Sequence, residues 1–558
     1  MGTSSNVLQH RVTLSEKFTD SSTVLNSNSL YPRWEGRTLS VVAFVMSLIA
    51  GYQLVFKLNQ VYGDAMSRIL TGMYIFWNGN FHLAAMSFYW SPLISLLAIP
   101  FALVRQIWSP LMGYGFASNI LSAAFSAIGI YYMHKILWRF GIPTWARITL
   151  SLLYFFNPLI FLYSSNGMSD GMACALIIAS IEGLVDYLQN DNIIGIVRGG
   201  AWLAAAFMVR YEAVPIGAGL GIGLAIAVWR QHKQFNRAFG VALTYLFPAI
   251  SAGIIWILLN WMIMKNPLYF MNSRYSNAAQ IRSGTFNTPQ VMAADHHFFN
   301  ALGQVLHFSD NFWPIFPAII IILILYLRKT HNISIGLSLA LGSIGAPLLQ
   351  LLLLYTHRSA DWDRFFIYYI PFGVITTSFV LYQITKTRLI HLVSIIACVI
   401  FISADYVAAR ALISPIWGNG EQQVINALTH HGSATSGTNH LQNVFIKLKN
   451  GRNLALYIND HPHLKVLLSS FSSWAAFPYI KNQNQVIFSN LSDFNATLEN
   501  PRGRVNAILA VPINAYSQTT DEVSVTYPNM WSGGVPWTKL IHQFSNGSRL
   551  YEVLPDAP

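Results

Sequence analysis

The chain of 558 residues is 53% hydrophobic and only 10% charged, with a mean hydropathy of +0.42, whereas soluble globular domains carry about 25% charged residues. That balance excludes a soluble globule and points to a polytopic α-helical membrane protein. The formal charge of +12 would suit a nucleic-acid binder, but most Lys and Arg fall in short loops between apolar runs, where the positive-inside rule puts them, so no nucleic-acid partner is expected.

In chain order, residues 1–30 are rich in Ser, Thr and Asn and read as a floppy leader to the membrane part. The run Thr38–Phe56 is long enough to cross a hydrocarbon core and is not followed by a small-residue cleavage site, so it reads as a retained first span. Further apolar runs follow at 113–134, 147–165, 171–189, 198–210, 213–229, 242–263, 311–328, 333–355, 365–384 and 389–408, which predicts about eleven spans. The Pro-flanked run Pro92–Val104 is short for a crossing and reads as a juxtamembrane or re-entrant piece. Arg33, Arg37, Lys135, Arg139, Arg147, Arg198, Arg230 to Arg237, Arg328, Lys329, Lys386 and Arg388 all fall on one side, which predicts that side to be the cytoplasm; the expected setting is a bacterial plasma membrane.

The chain therefore divides into a cytoplasmic N-terminal segment at 1–37, a transmembrane domain at 38–410 with outer loops at 58–92 and 265–311, and an extracytoplasmic domain at 411–558. That last part carries strand-like runs at 465–470, 485–489, 506–512 and 549–555 between polar segments, and reads as a small α/β domain. Cys174 and Cys398 both sit inside apolar runs, which supports neither a disulfide nor a thiolate metal site.

Chemistry-bearing residues concentrate at the predicted outer ends of the spans. Asp64 follows the first span directly, with Arg68 four residues on and Trp77, His82, Trp90 and Pro92 nearby; the bland reading is a solvated carboxylate paired with Arg68. Arg68, Arg274, Arg358 and Arg364 run against the positive-inside trend, and phosphate binding competes with interfacial snorkelling as their role. Arg210 and Glu212 lie between two apolar runs as a structural or substrate-binding pair, and Asp170 opens another.

Other patterns weigh less. Gly167-Met168-Ser169-Asp170-Gly171 matches an esterase elbow, but an apolar helix precedes it where that motif needs a strand. Asp295-His296-His297 and His461-Pro462-His463 read as solvated loops, and Gly217, Gly219, Gly221 and Gly223 as packing positions within a span. Trp531, Trp537 and Tyr527 suit a domain core better than a sugar platform.

The layout resembles the GT-C superfamily of integral-membrane glycosyltransferases, which includes the protein O-mannosyltransferases and the lipid A aminoarabinose transferases. The matching pieces are "VYGDAMSR" around Asp64, Trp90-Ser91-Pro92-Leu93, "NPLIFLYSSNGMSD" at 157–170, "RYEAVP" at 210–215, "NPLYFMNSRYSNAAQ" at 266–280 and "DWDRFFIYYIP" at 361–371. The resemblance implies transfer of a sugar from a polyprenyl-phosphate donor to a glycan, lipid or protein acceptor at the outer face, with inversion. It implies Asp64 as general base on the acceptor hydroxyl, or as the group that orients the acceptor, and Arg68, His82, Asp170, Arg210, Glu212, Arg274, Arg358 and Arg364 as substrate- and phosphate-binding residues. Several relatives carry an acidic pair in the first loop, whereas here Gly63 and Ala65 flank Asp64. Asp170, Glu212, Asp361 or Asp363 would have to supply a second carboxylate, and with it any divalent cation site. The alternative reading is a multi-pass transporter or flippase, which also needs charges along an internal path.

Overall fold

The computed structural model describes residues 31–555 except 80, 106, 274, 283–287, 329–332, 361, 384, 386–388, 414–418, 430–439 and 515–516. Expectations about residues 1–30, Arg274, Lys329, Asp361, Lys386 and Arg388 lie outside the described residues.

Helix α1 (Arg33–Tyr52) continues into a π turn (Gln53–Lys57), and α2 (Gly63–Tyr74) lies in the first loop. There follow α3 (Leu93–Leu103), α4 (Phe116–Arg139), α5 (Thr144–Phe156), α6 (Pro158–Tyr163), α7 (Ser169–Asn190) and α8 (Ile193–Phe207). Helices α9 (Ala213–His232), α10 (Phe235–Met264), α11 (Ile315–Leu327), α12 (Ser334–Tyr355), α13 (Tyr369–Gln383) and α14 (Ile390–Ile413) complete the apolar part. Among the described residues, 8 helices are long and apolar enough to cross a membrane, and α3, α8 and α11 are shorter apolar helices.

The expected span at 147–165 is two helices. Pro158 lacks an N–H, and the Asn157 side chain instead accepts from the backbone N–H groups of Leu159 and Ile160 at 3.2 and 3.4 Å, capping α6. Its amide also donates to Asp405 of α14 at 2.7 Å, which ties the break to a neighbouring span.

Helix α7 is the central post, with 94% of its apolar window buried. Small residues permit this: a Cβ on Gly183 would stand 2.4 Å from the Gly195 carbonyl, so α7 and α8 meet backbone to backbone. Gly219 and Gly223 do the same for α9 against α12, where an added Cβ would meet the Leu341 carbonyl at 2.2 Å and the Ser338 Cα at 2.4 Å. Helix α10 is the opposite case, with Phe239, Leu243, Phe247, Ile250 and Ile254 exposed along it. Such a face suits lipid.

The basic residues assigned to loop topology also make buried ion pairs. Glu182 of α7 accepts from Lys135, Arg139 and Arg198 at 2.9, 2.8 and 2.7 Å, and Arg147 donates to Glu35 at 2.6 Å.

After α14 come α15 (Asn419–Thr429), α16 (His440–Asp460) and a five-stranded sheet of order β2-β1-β3-β5-β4. Strands β1 (Val466–Leu468), β2 (Val486–Phe488) and β3 (Ala507–Ala510) are parallel neighbours, while β4 (Thr538–Gln543) and β5 (Arg549–Val553) add an antiparallel edge. Four of the five strands coincide with the expected runs. The fifth, β4, is an edge strand with partly exposed, polar residues and a register shift between Leu540 and His542, so it lacks an apolar signal.

This domain packs directly on α2. Tyr74 and Trp77 meet Phe488 with ring centroids 4.9 and 5.0 Å apart, and the Trp77 indole donates to the Gln483 carbonyl at 3.1 Å. The helix that carries Asp64 is thus held between α3 and the sheet domain.

Candidate functional site

Helix α2 begins after the extended residue Tyr62, which places Asp64 in its first turn, where the N-terminal end of the helix dipole favours a carboxylate. Arg68 follows one turn on, the face neighbour predicted by 3.6-residue periodicity. The two side chains nevertheless do not form the expected surface pair. Arg68 reaches the backbone carbonyl of Asp64 at 3.5 Å and lies over the Trp90 ring at 4.1 Å, a cation–π contact. The Asp64 carboxylate instead faces Arg364, from the segment that leads into α13, with both terminal nitrogens 3.4 Å from Oδ2.

That separation decides much. Charge-assisted N–H···O bonds run about 2.7–2.9 Å, so the Asp64–Arg364 pair is loose and leaves both partners capacity for a third group. The Asp64 side chain is 39% exposed although it is surrounded by charged and aromatic neighbours, so a reagent can reach it. Burial pushes its carboxyl up, but the Arg364 and Arg68 guanidiniums more than offset this and hold it below the ordinary carboxylate range. Burial also draws Arg68 down to about 10, against the opposing pull of Asp64, which leaves it protonated at neutral pH.

Arg210 has the opposite character. It donates to Asp170 at 2.7 Å, to Ser169 at 3.3 Å and to both oxygens of Glu212 at 2.6 and 3.2 Å. Asp170 is fully buried, and its second oxygen has no hydrogen-bond partner among the described residues. Arg210 is therefore clamped between two carboxylates and serves as their counter-charge. Replacing it with Met strands two acids in the interior, and removal of one member of a buried ion pair costs about 3–5 kcal/mol. The Arg210→Met protein is expected to melt well below the wild type in detergent, which differential scanning fluorimetry measures.

Asp64, Arg68, Asp170, Arg210, Glu212 and Arg364 thus come together around the first-loop helix α2 and the starts of α7, α9 and α13. His82 is half-buried, with its backbone N–H on the Ile75 carbonyl at 2.7 Å, and Arg358 is exposed beyond the end of α12. Asp363 is buried next to Arg364. Among the described residues, no three His, Cys, Asp or Glu side chains converge on one point, and the Asp64 carboxylate faces a guanidinium.

Sequence reasoning missed three members of this neighbourhood, Tyr163, Glu421 and Tyr62. Tyr163, at the end of α6, donates to Glu421 of α15, a residue of the C-terminal part 258 positions away. Tyr62, immediately before α2, is buried beside Asn166, and burial together with the Glu421 charge holds its phenol well above the ordinary value. The aromatic run before Ser164 hints at Tyr163, but nothing local marks Glu421. The Gly167–Gly171 stretch runs from the turn after α6, with Gly167 at a φ of +80°, into the first turn of α7, and is not the strand-to-helix elbow of a hydrolase.

No family model matches the chain. GPI mannosyltransferase 1 of Trypanosoma brucei brucei is 22% identical over 320 residues, which span 54% of this chain and 66% of that protein. The crystal structure of ArnT from Cupriavidus metallidurans bound to undecaprenyl phosphate is similar with a TM-score of 0.51 at 12% identity, over 93% of this chain and 99% of that one. The chain shares the fold of that ArnT, with a small C-terminal sheet domain, and is a multi-pass membrane protein.

Proposed function

We propose that the chain is a glycosyltransferase that moves a sugar from a polyprenyl-phosphate carrier to an acceptor hydroxyl on a glycan, lipid or protein at the outer face of the membrane. The observation that carries this reading is the loose, accessible Asp64–Arg364 pair with Arg68 alongside. A base and two guanidiniums with spare capacity stand within one small volume of a GT-C fold. The ArnT of similar fold binds undecaprenyl phosphate, which supports a lipid phosphate as the group those guanidiniums take.

In this reading Asp64 takes the proton of the acceptor hydroxyl as its oxygen bonds to the sugar C1. The C1–O bond to the lipid phosphate breaks, and its electron pair leaves on the phosphate oxygen, where Arg364 and Arg68 compensate the developing charge. Attack opposite the leaving group inverts C1. Arg210 orders the inner wall with Asp170 and Glu212 and does not bind phosphate.

The test is transfer of radiolabelled sugar from a panel of polyprenyl-phosphate sugars by purified protein in liposomes that contain membrane glycans. Incorporation from at least one donor is expected. No incorporation from any donor would turn the reading toward a transporter or flippase.

A further inference from the structure

We infer that Glu421 is a positioning residue of this site, through which the C-terminal domain sets the arrangement of Arg364 opposite Asp64. The inference rests on the transferase reading above and adds a residue that belongs to a different part of the chain.

Glu421 lies in the first turn of α15 and is 4% exposed, and Val424, one turn on, enters the core of the membrane domain. That spacing puts both on the docked face of the helix. The carboxyl group accepts the Tyr163 hydroxyl, and the groups whose fields reach it are Arg364 and Asp170, with Tyr62 close by. Tyr163 closes α6, and the turn beyond it is built on side-chain bonds. Asn119 donates to the Ser165 carbonyl at 2.6 Å, and Asn166 accepts from the Met168 N–H at 2.9 Å. That turn delivers Asp170 to Arg210. Glu421 therefore anchors, through Tyr163, the segment that shapes the wall next to Arg364.

Its charge state matters as much as its place. Asp64 and Asp170 already supply two carboxylates to the neighbourhood of Arg364. A third buried negative charge would compete with Asp64 and with an incoming phosphate for that guanidinium, and would be costly to bury. Burial raises the Glu421 carboxyl, and the Tyr163 bond and the Arg364 charge offset this only in part. In its neutral form the acid keeps the Tyr163 bond and leaves Arg364 to the substrate. Glu421 ionises as pH rises through that raised value, and its charge then pulls on Arg364, so activity falls as the group ionises.

The experiment compares wild type, Glu421→Gln, Glu421→Ala and Tyr163→Phe as full-length protein in liposomes, with kcat, KM and the pH profile of transfer measured for each and Tm recorded in detergent. Glu421→Gln, a permanently neutral isostere, is expected to keep kcat on the acid side of the wild-type profile and to hold activity to higher pH than wild type. Glu421→Ala and Tyr163→Phe are expected to lose kcat by about tenfold, the scale of one buried hydrogen bond to an acid, with a smaller change in donor KM. Active wild type with unchanged pH profiles in the Gln and Ala variants would overturn the role of Glu421 alone, and so would a Gln variant as impaired as Ala. A change in Tm with no change in profile would reduce Glu421 to a structural contact. If Glu421→Ala fails to fold, Glu421→Gln and Tyr163→Phe decide. No turnover by wild type overturns the transferase reading, and this inference falls with it.

Discussion

Asp64→Asn is expected to abolish transfer while leaving the fold and the donor affinity largely intact. The amide is nearly isosteric with the carboxylate and still accepts from Arg364, so the loose 3.4 Å contact survives in weakened form. What it cannot do is take a proton from the acceptor hydroxyl. General-base catalysis typically contributes about 10²- to 10⁴-fold, or about 3–5 kcal/mol of barrier. The loss should fall on kcat, because the guanidiniums that hold the phosphate remain. Steady-state kinetics with the active donor check this, next to equal expression and equal Tm. Retention of kcat by the Asn variant would remove Asp64 from the chemistry, whatever the enzyme transfers.

The parts of the molecule that were legible in the sequence are those whose signal is local. Apolar runs announce spans because a helix in lipid must satisfy its backbone internally and show apolar side chains over about 20 residues. Asp64 stands out for the same reason, as an acid placed directly after such a run. The break at Asn157 has a local signal too, since an Asn-Pro pair marks a turn, although the apolar length of 147–165 reads as one span. Pairings across the fold were not legible. Arg364 and Arg358 look alike in sequence, each a cation at the predicted outer end of a run, and only the fold brings Arg364, 300 positions along, to the Asp64 carboxylate. Arg210 and Arg68 look alike too, yet one is clamped by two acids and the other rests on Trp90. Glu421 lies in a polar stretch beyond the last span, and its burial follows from tertiary docking of α15, which no periodicity encodes.

Arg364 carries the other large expected effect, because its removal should act on two steps at once. The guanidinium faces Asp64 through both terminal nitrogens and is backed by the Trp362 ring at 4.3 Å, a placement that fixes its plane. Loss of a preorganised donor aimed at developing charge costs about 10²- to 10³-fold in kcat, and Arg364→Ala should show at least that. The pH profile should move as well. Asp64 sits below the ordinary carboxylate range because the attraction of Arg364, with that of Arg68, outweighs the burial that would raise it. A base must be ionised to act, so activity is lost as pH falls through the Asp64 pKa, and in wild type that acid limb lies low. Without Arg364 the burial remains and the main opposing charge is gone, so the Asp64 pKa rises and the acid limb shifts to higher pH. Arg364→Lys separates the two effects. The ammonium keeps a positive charge near Asp64, and with it much of the low acid limb, but a point charge cannot hold two groups in the planar geometry of a guanidinium. Its kcat should therefore fall while its acid limb stays closer to wild type than that of the Ala variant. Coincident acid limbs in wild type, Lys and Ala would show that Asp64 titrates independently of Arg364, and the pair would then be a contact without a catalytic consequence.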